Sequence, residues 1–130
     1  MQIHHFGFAV KNIEEAHETF RKTLGLRGTC EVIYDPVQRV RVAFLELGSG
    51  LFLELIEPAG AESPVHGFLA KGGGLYHACF LTPDLDAEVA RLVNCGFTVV
   101  CPPTAATGFG NRRIAFLFDP QVRLIELLEN

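Results

Sequence analysis

Features that mark several specialised protein classes are absent from this sequence of 130 residues. It has no lysine- or arginine-rich run and its net charge is −4, so neither a nucleic acid nor an anionic membrane is indicated as a partner. No apolar segment approaches the ~18 residues of a membrane-spanning helix. The N-terminus MQIHHFGFAV lacks the charged region and cleavage site of a signal peptide. We therefore expect neither a membrane-spanning nor a secreted protein.

The cysteines are few and lack the spacing of a metal or redox motif. None of Cys30, Cys79, Cys95 and Cys101 belongs to a C-x-x-C pair. Cys79 lies in the apolar run HACFL, where a thiol usually packs as a small hydrophobic group. Reduced cysteines in a cytoplasmic protein are therefore favoured over disulfides or a thiolate site.

The sequence contains an internal repeat with an offset of 72 residues. HFGFAVKNIEEA begins at His5, and HACFLTPDLDAE begins at His77. VAFLEL recurs as IAFLFD, and Glu54 recurs as Glu126, at the same offset. Each histidine is therefore 49 residues from its glutamate. Several matches in one register indicate a duplicated module.

Each copy of the repeat predicts the element order βαβββ, from alternating apolar residues in the strands and helical spacing in between. The first helix follows Asn12, a candidate N-cap, and ends at Gly25; the second extends from Asp84 to Asn94. Predicted strands cover 2–10, 27–34, 39–47 and 50–57 in the first copy, and 75–82, 97–101, 111–118 and 122–129 in the second.

The two copies predict a single α+β domain that covers residues 1–130. Module 1 covers about 1–58 and module 2 about 74–130. The linker between them, about 59–73, is expected to contain a short helix that begins near Ser63-Pro64.

Two histidines and two glutamates of the repeat form a candidate metal site. Because strand side chains alternate between faces, His5, Glu54, His77 and Glu126 each share a face with apolar or small neighbours. A buried carboxylate is costly unless it is paired, protonated or bound to a metal. Nitrogen and oxygen donors suit a divalent first-row metal, and four ligands on an octahedral ion leave two positions for water or a chelating substrate.

Other polar residues near these positions are expected to lie outside the site. His4 falls on the opposite face of its strand, while His17 on the helix and His66 in the linker are expected at the surface. Glu57 and Glu129 fall on the faces opposite to Glu54 and Glu126, where we expect solvent.

Four segments, HHFGFAV, LFLELIEP, GGGLYHACF and RLIELLE, resemble the vicinal oxygen chelate superfamily (glyoxalase/bleomycin resistance/dioxygenase) along essentially the whole chain. The resemblance implies two βαβββ modules in a curved mixed sheet, a half-open barrel, around a metal site with His5, Glu54, His77 and Glu126 as ligands. Within the superfamily, SPVHGFLAKGGGLYHACF and TGFGNRRIAFLFDP look most similar to methylmalonyl-CoA epimerases.

The resemblance implies a metal-dependent isomerase that acts by enolisation of an acyl-CoA thioester. A divalent ion, which could be cobalt, manganese, nickel or zinc, would stabilise the enolate. Glu126 is the first candidate for the catalytic base that moves the α-proton, and Glu54 is its counterpart. The family also implies a homodimer.

Two departures from the epimerase pattern bear on this chemistry. The chain has Tyr76-His77 where epimerases commonly have two histidines, although the second of these, the ligand, is retained. Some epimerases carry a further catalytic glutamate at a position that aligns with Val42, and Glu46 is the nearest carboxylate on that face.

The segment CPPTAATGFGNRR (101–113) predicts a substrate-binding loop. Gly108 and Gly110 let the backbone approach a ligand closely, and Asn111 follows them. Arg112 or Arg113 would hold a substrate carboxylate or a CoA phosphate, and strand parity turns one of the two outward. A loop with one solvated arginine and one packed against the sheet is an equally open alternative.

Three other functions occur on the fold that the resemblance implies. A glyoxalase I-type lactoylglutathione lyase, which acts on a thiol adduct of a 2-oxoaldehyde, uses the same four positions. A dioxygenase is less favoured, because iron oxygenases typically bind the metal through two histidines and one carboxylate. A metal-free, drug-resistance type module that binds small molecules generally loses the ligands, so the intact set argues against it.

Overall fold

The computed structural model describes residues 1–130, and the chain divides into two compact units. The N-terminal unit consists of residues 5–76, and the C-terminal unit of residues 1–4 and 77–130. The predicted α+β class and the repeated βαβββ order are confirmed. The strands are β1 Gln2–Ala9, β2 Ile33–Asp35, β3 Val40–Gly48, β4 Leu51–Pro58, β5 Gly74–Thr82, β6 Thr98–Ala105, β7 Arg113–Asp119 and β8 Arg123–Glu129; the helices are α1 Ile13–Leu24, α2 Val65–Ala70 and α3 Leu85–Asn94.

The N-terminal unit is a mixed sheet with a helix on each face. Its strands follow the order β2-β3-β4-β1; β3 is antiparallel to both neighbours, and β1 is parallel to β4. On one face the fully buried Ile13 of α1 packs with Leu45 and Leu55. On the other face Val65 of α2 packs with Ile56. Glu54 shares this second face with Ile56, because the two are separated by two positions in β4.

The C-terminal unit repeats the sheet but covers its second face differently. The order β5-β8-β7-β6 has the same parallel and antiparallel pairings. Leu85 of α3 packs with Leu127 on one face. On the other face Leu128 packs with Ala106 and Phe109 from a loop that includes a 3₁₀ turn. The helix α2 therefore has no helical counterpart in this unit.

All three predicted helix starts are confirmed: α2 begins at Val65 without a side-chain cap, and α1 and α3 have capping hydrogen bonds. Oδ1 of Asn12 accepts from the backbone N–H of Glu15 at 2.9 Å, and Oδ1 of Asp84 accepts from that of Ala87 at 3.0 Å. Each bond satisfies a donor that the first turn leaves unpaired. The left-handed Gly25, with φ of 66°, ends α1 as predicted.

Three predicted strand boundaries are wrong. The strand expected at 27–34 is reduced to β2, because Gly28 has φ of 145° and lies tightly against the backbone of Phe44. The strand expected at 97–101 continues through two prolines to Ala105, which the outer position of β6 permits. The strand expected from residue 111 begins at Arg113, because Asn111 has φ of 64° in the preceding turn. No helix in the structure has the length and apolar character needed to cross a membrane.

Candidate metal centre

The N-terminal unit contains a buried histidine–glutamate pair. Glu54 in β4 lies opposite Gly7 of β1 and opposite Phe44 of β3. Nε2 of His5 lies 3.4 Å from Oε1 of Glu54, and the His5 ring meets the Phe44 ring edge-on with 6.1 Å between centroids. The exposed fraction is 0% for His5 and 5% for Glu54. An imidazole nitrogen and a carboxylate oxygen thus lie side by side, away from solvent.

The C-terminal unit contains the second pair in the same register. Glu126 in β8 lies opposite Cys79 of β5 and opposite Phe116 of β7. Nε2 of His77 lies 2.9 Å from Oε2 of Glu126, and the His77 and Phe116 rings meet edge-on with centroids 5.3 Å apart. Both members are buried, at 4% and 2% exposure. The repeat therefore duplicates a complete donor pair with its aromatic neighbour.

These two pairs fit the chemistry of a divalent cation. All four side chains are buried, and each offers one nitrogen or oxygen ligand atom. Such donors suit first-row divalent metals. Without a positive partner, a buried ionised carboxylate carries a desolvation cost of several kcal/mol. A bound cation would neutralise the carboxylates and so offset that desolvation cost.

An arginine binds the second glutamate of each strand, so Glu57 and Glu129, which we expected in solvent, are only partly exposed. Nη1 of Arg41 donates to Glu57 at 2.9 Å, and the backbone N–H of Ile13 donates to the same carboxylate at 3.2 Å. Arg113 donates to Glu129 through Nε and Nη2, at 2.9 and 2.7 Å. These hydrogen bonds lower the pKa of Glu129.

The same arginines reach the first turn of a helix. Arg41 donates to Glu14 of α1 at 3.0 Å, and Arg113 donates to Asp86 of α3 at 2.9 Å. Each arginine therefore ties two strands to the helix that packs on them. Arg113, Glu129 and Asp86 each follow their counterparts around Arg41 by 72 positions. The repeat therefore relates the two clusters of ion pairs to each other.

The predicted substrate-binding loop has a defined turn at its tip. Gly108 lies in the 3₁₀ turn, and Gly110 and Asn111 both have φ of 64°. Arg112 is exposed, and its Nε donates to the carbonyl of Phe109 at 3.3 Å. The guanidinium of Arg113 instead donates hydrogen bonds to Glu129 and Asp86. Substrate contact by these loop residues stays a prediction.

One histidine expected at the surface is buried. His17 in α1 is 8% exposed, and its Nε2 is 3.1 Å from the carbonyl oxygen of Gly28. His17 follows the buried Ile13 by four positions, and that spacing on the apolar helix face could have indicated its burial. His66 is exposed as expected, with Nε2 at 2.8 Å from the Gly60 carbonyl.

At the two departures from the epimerase pattern, Val42 and Tyr76 lie in apolar surroundings, whereas Glu46 is exposed to solvent. Val42 is buried in the apolar cluster that also contains Tyr76 and Phe68. Glu46 is exposed near the end of β3. The Tyr76 ring packs on Phe68 with centroids 4.9 Å apart, and burial raises the pKa of the Tyr76 phenol.

Comparison with known proteins identifies relatives across most of the chain. The model of the Glyoxalase/Bleomycin resistance protein/Dioxygenase superfamily matches residues 4–116. The uncharacterized protein YqjC of Bacillus subtilis is 36% identical over 98% of this chain and 91% of its own length. Mitochondrial methylmalonyl-CoA epimerase of Mus musculus is 36% identical over 70% of this chain, which spans about half (51%) of that relative.

A solved structure matches the whole chain. It is a Streptomyces coelicolor methylmalonyl-CoA epimerase variant in complex with 2-nitronate-propionyl-CoA, with a TM-score of 0.85 and 31% identity. The match covers 100% of this chain and 97% of the Streptomyces chain.

Proposed function

Because the chain belongs to the Glyoxalase/Bleomycin resistance protein/Dioxygenase superfamily, we propose that it is a metal-dependent isomerase of acyl-CoA thioesters that resembles methylmalonyl-CoA epimerases. In this proposal residues 1–130 work as one domain. His5, Glu54, His77 and Glu126 are the ligands of a divalent cation.

The duplicated, buried histidine–glutamate pair is the observation that carries this proposal. The two pairs have nitrogen–oxygen distances of 3.4 and 2.9 Å and occupy matching positions in the repeat. A module that binds small molecules without a metal has no need for two buried carboxylates, each of which costs folding free energy. The relatives named as methylmalonyl-CoA epimerases support acyl-CoA thioesters as the substrate class.

The chain's own residues would then perform a two-sided proton transfer. A divalent cation supplies Lewis-acid stabilisation of negative charge at the thioester carbonyl oxygen. Glu126 removes the α-proton as general base, and Glu54 returns a proton to the opposite face of the α-carbon. Burial of both carboxylates excludes bulk water from the transfer. Gly108, Gly110, Asn111 and Arg112 contact the substrate; Arg112 supplies a positive charge for a carboxylate or phosphate.

The test is exchange of the substrate's α-hydrogen with solvent. The protein is loaded with cobalt or manganese and mixed with methylmalonyl-CoA in D₂O, and deuterium at the α-carbon is followed. Glu126→Gln is expected to lower the exchange rate by about 10²–10⁴-fold. Glu129→Gln is the matched control, because Glu129 lies three positions further along β8 on the helix-facing side.

Each outcome of this experiment bears on the proposal. Exchange that is lost in a Glu126→Gln protein that still contains its metal, and kept in Glu129→Gln, supports both the substrate class and the base. A Glu126→Gln protein with undiminished exchange contradicts the role of Glu126. A metal-loaded parent protein without exchange contradicts the substrate class, and turnover of a glutathione hemithioacetal would then identify a lactoylglutathione lyase.

We further propose a cytoplasmic homodimer, on the basis of the resemblance to the family. Light scattering of the purified protein measures the assembly directly. A mass of about 14.3 kDa, rather than twice that value, would contradict the dimer.

A further inference from the structure

We propose that Phe44 and Phe116 are positioning residues that orient the two metal-binding histidines, an inference that rests on the metal site of the proposed function. Phe116 lies directly opposite Glu126 in the β7–β8 ladder. Its ring meets the ring of His77 at an interplanar angle of 84°, with 5.3 Å between centroids. One aromatic side chain thus lies beside both members of the pair.

The N-terminal unit repeats this arrangement. Phe44 lies opposite Glu54 in the β3–β4 ladder, and its ring meets His5 at 81° with centroids 6.1 Å apart. Phe44 also has an edge contact with Phe52, with 6.3 Å between centroids. Because Phe44 and Phe116 match at the offset of 72 residues, the aromatic neighbour belongs to the repeated donor pair.

The geometry indicates a specific role for the ring. Edge-to-face contacts are the preferred arrangement of aromatic rings, so the phenyl group restricts rotation of the imidazole. A histidine binds a metal well only when its ring plane is fixed, and the groups around it that fix this plane tune affinity. The apolar ring also excludes water beside the carboxylate, which strengthens its attraction to a cation.

The two units are expected to differ in how much they depend on this contact. The centroid distance is shorter at His77 than at His5, and the histidine–glutamate distance is also shorter there. Removal of the Phe116 ring is therefore expected to affect metal binding more than removal of the Phe44 ring.

The test compares cobalt binding by Phe116→Leu, Phe44→Leu and a matched control, Phe118→Leu, in the full chain. Phe118 lies on the same strand and face as Phe116, but its ring faces the guanidinium of Arg123, at 5.1 Å. Co²⁺ is titrated into metal-free protein, and both the dissociation constant and the visible absorption spectrum are recorded without substrate.

Phe116→Leu is expected to raise the cobalt dissociation constant about tenfold and to change the absorption spectrum. Phe44→Leu is expected to show a smaller change of the same kind, and Phe118→Leu is expected to match the parent protein. Phe116→Tyr retains the ring and is expected to restore binding if Phe116→Leu has lost it. Near-ultraviolet circular dichroism of each metal-free variant establishes that it is folded.

A folded Phe116→Leu protein with parental affinity and spectrum overturns the inference, and so does an equal loss in Phe118→Leu. A parent protein that binds cobalt but does not exchange the α-hydrogen contradicts the proposed substrate and leaves the positioning role supported by the binding data. A parent protein that binds no cobalt overturns both proposals.

Discussion

Arg113 and Glu129 are joined by two hydrogen bonds across β7 and β8, from Nε at 2.9 Å and from Nη2 at 2.7 Å. The same guanidinium donates to Asp86 in the first turn of α3 at 2.9 Å. Two-pronged contacts of this kind are stronger than single ones and fix the geometry of both partners. This contact holds α3 to β8. The same strand contains Glu126, which is three positions from Glu129.

Arg113→Met is expected to weaken the dependence of stability on pH in the acidic range. Arg113 lowers the pKa of Glu129 in the folded protein. This stabilisation is therefore present above the unfolded-state pKa of about 4.3 and is lost as pH falls through the lower, folded-state pKa. Urea unfolding between pH 3 and 7 measures the effect.

Arg112→Met serves as the control for this pH experiment, because Arg112 is exposed and its Nε donates to a carbonyl rather than to a carboxylate. It should keep the parental pH profile. If Arg113→Met has the parental profile as well, the two hydrogen bonds contribute no measurable stability.

Metal binding is expected to stabilise the folded protein. At a free metal concentration one hundred times the dissociation constant, the free energy of unfolding should rise by about 2.7 kcal/mol. Chemical denaturation with cobalt and with EDTA measures the difference. His77→Ala should reduce the gain, whereas His66→Ala, at an exposed histidine in α2, should keep it. An equal midpoint with cobalt and with EDTA contradicts the metal site.

The repeat made much of the fold and the donor pairs predictable. Glu54 and Glu126 recur with the same apolar neighbours, so strand parity predicts that each lies on an apolar face of its strand. The sequence also contained Arg41 and Arg113 in the same register. The matching positions alone do not show that these residues bind one another, because the partners of Arg41, Glu14 and Glu57, lie far apart in the chain.

Features that the repeat does not duplicate were harder to predict. The spacing of His17 on the apolar face of α1 indicates its burial, but hydrophobic periodicity does not encode its contact with the carbonyl of Gly28. The shortening of β2 has a similar cause, since the close approach of Gly28 to Phe44 depends on how the chain turns after α1. Loop conformation decides both features, and it follows from tertiary packing rather than local sequence.

Gly28→Ala is expected to destabilise the protein by about 1–3 kcal/mol. Gly28 has φ of 145°, and a Cβ atom there would lie 2.9 Å from the carbonyl oxygen of Phe44. Gly67→Ala is the matched control, because a Cβ at that position in α2 would meet no atom within 4 Å outside the neighbouring helix backbone. The control should be as stable as the parent or more stable, since alanine favours a helix over glycine. Urea unfolding that ranks the two variants in the opposite order would contradict this account.

Arg112→Met is expected to raise KM for the acyl-CoA substrate about tenfold, because it removes a charge-assisted hydrogen bond to a carboxylate or phosphate. Little change in kcat is expected, since Arg112 binds substrate without touching the reacting carbon. Steady-state kinetics of the metal-loaded protein separate the two constants. Arg27→Met is the control, because Arg27 lies in the N-terminal unit, outside the loop. If Arg112→Met has the parental KM, Arg112 does not bind the substrate. If kcat falls while KM stays constant, Arg112 acts in the chemical step instead.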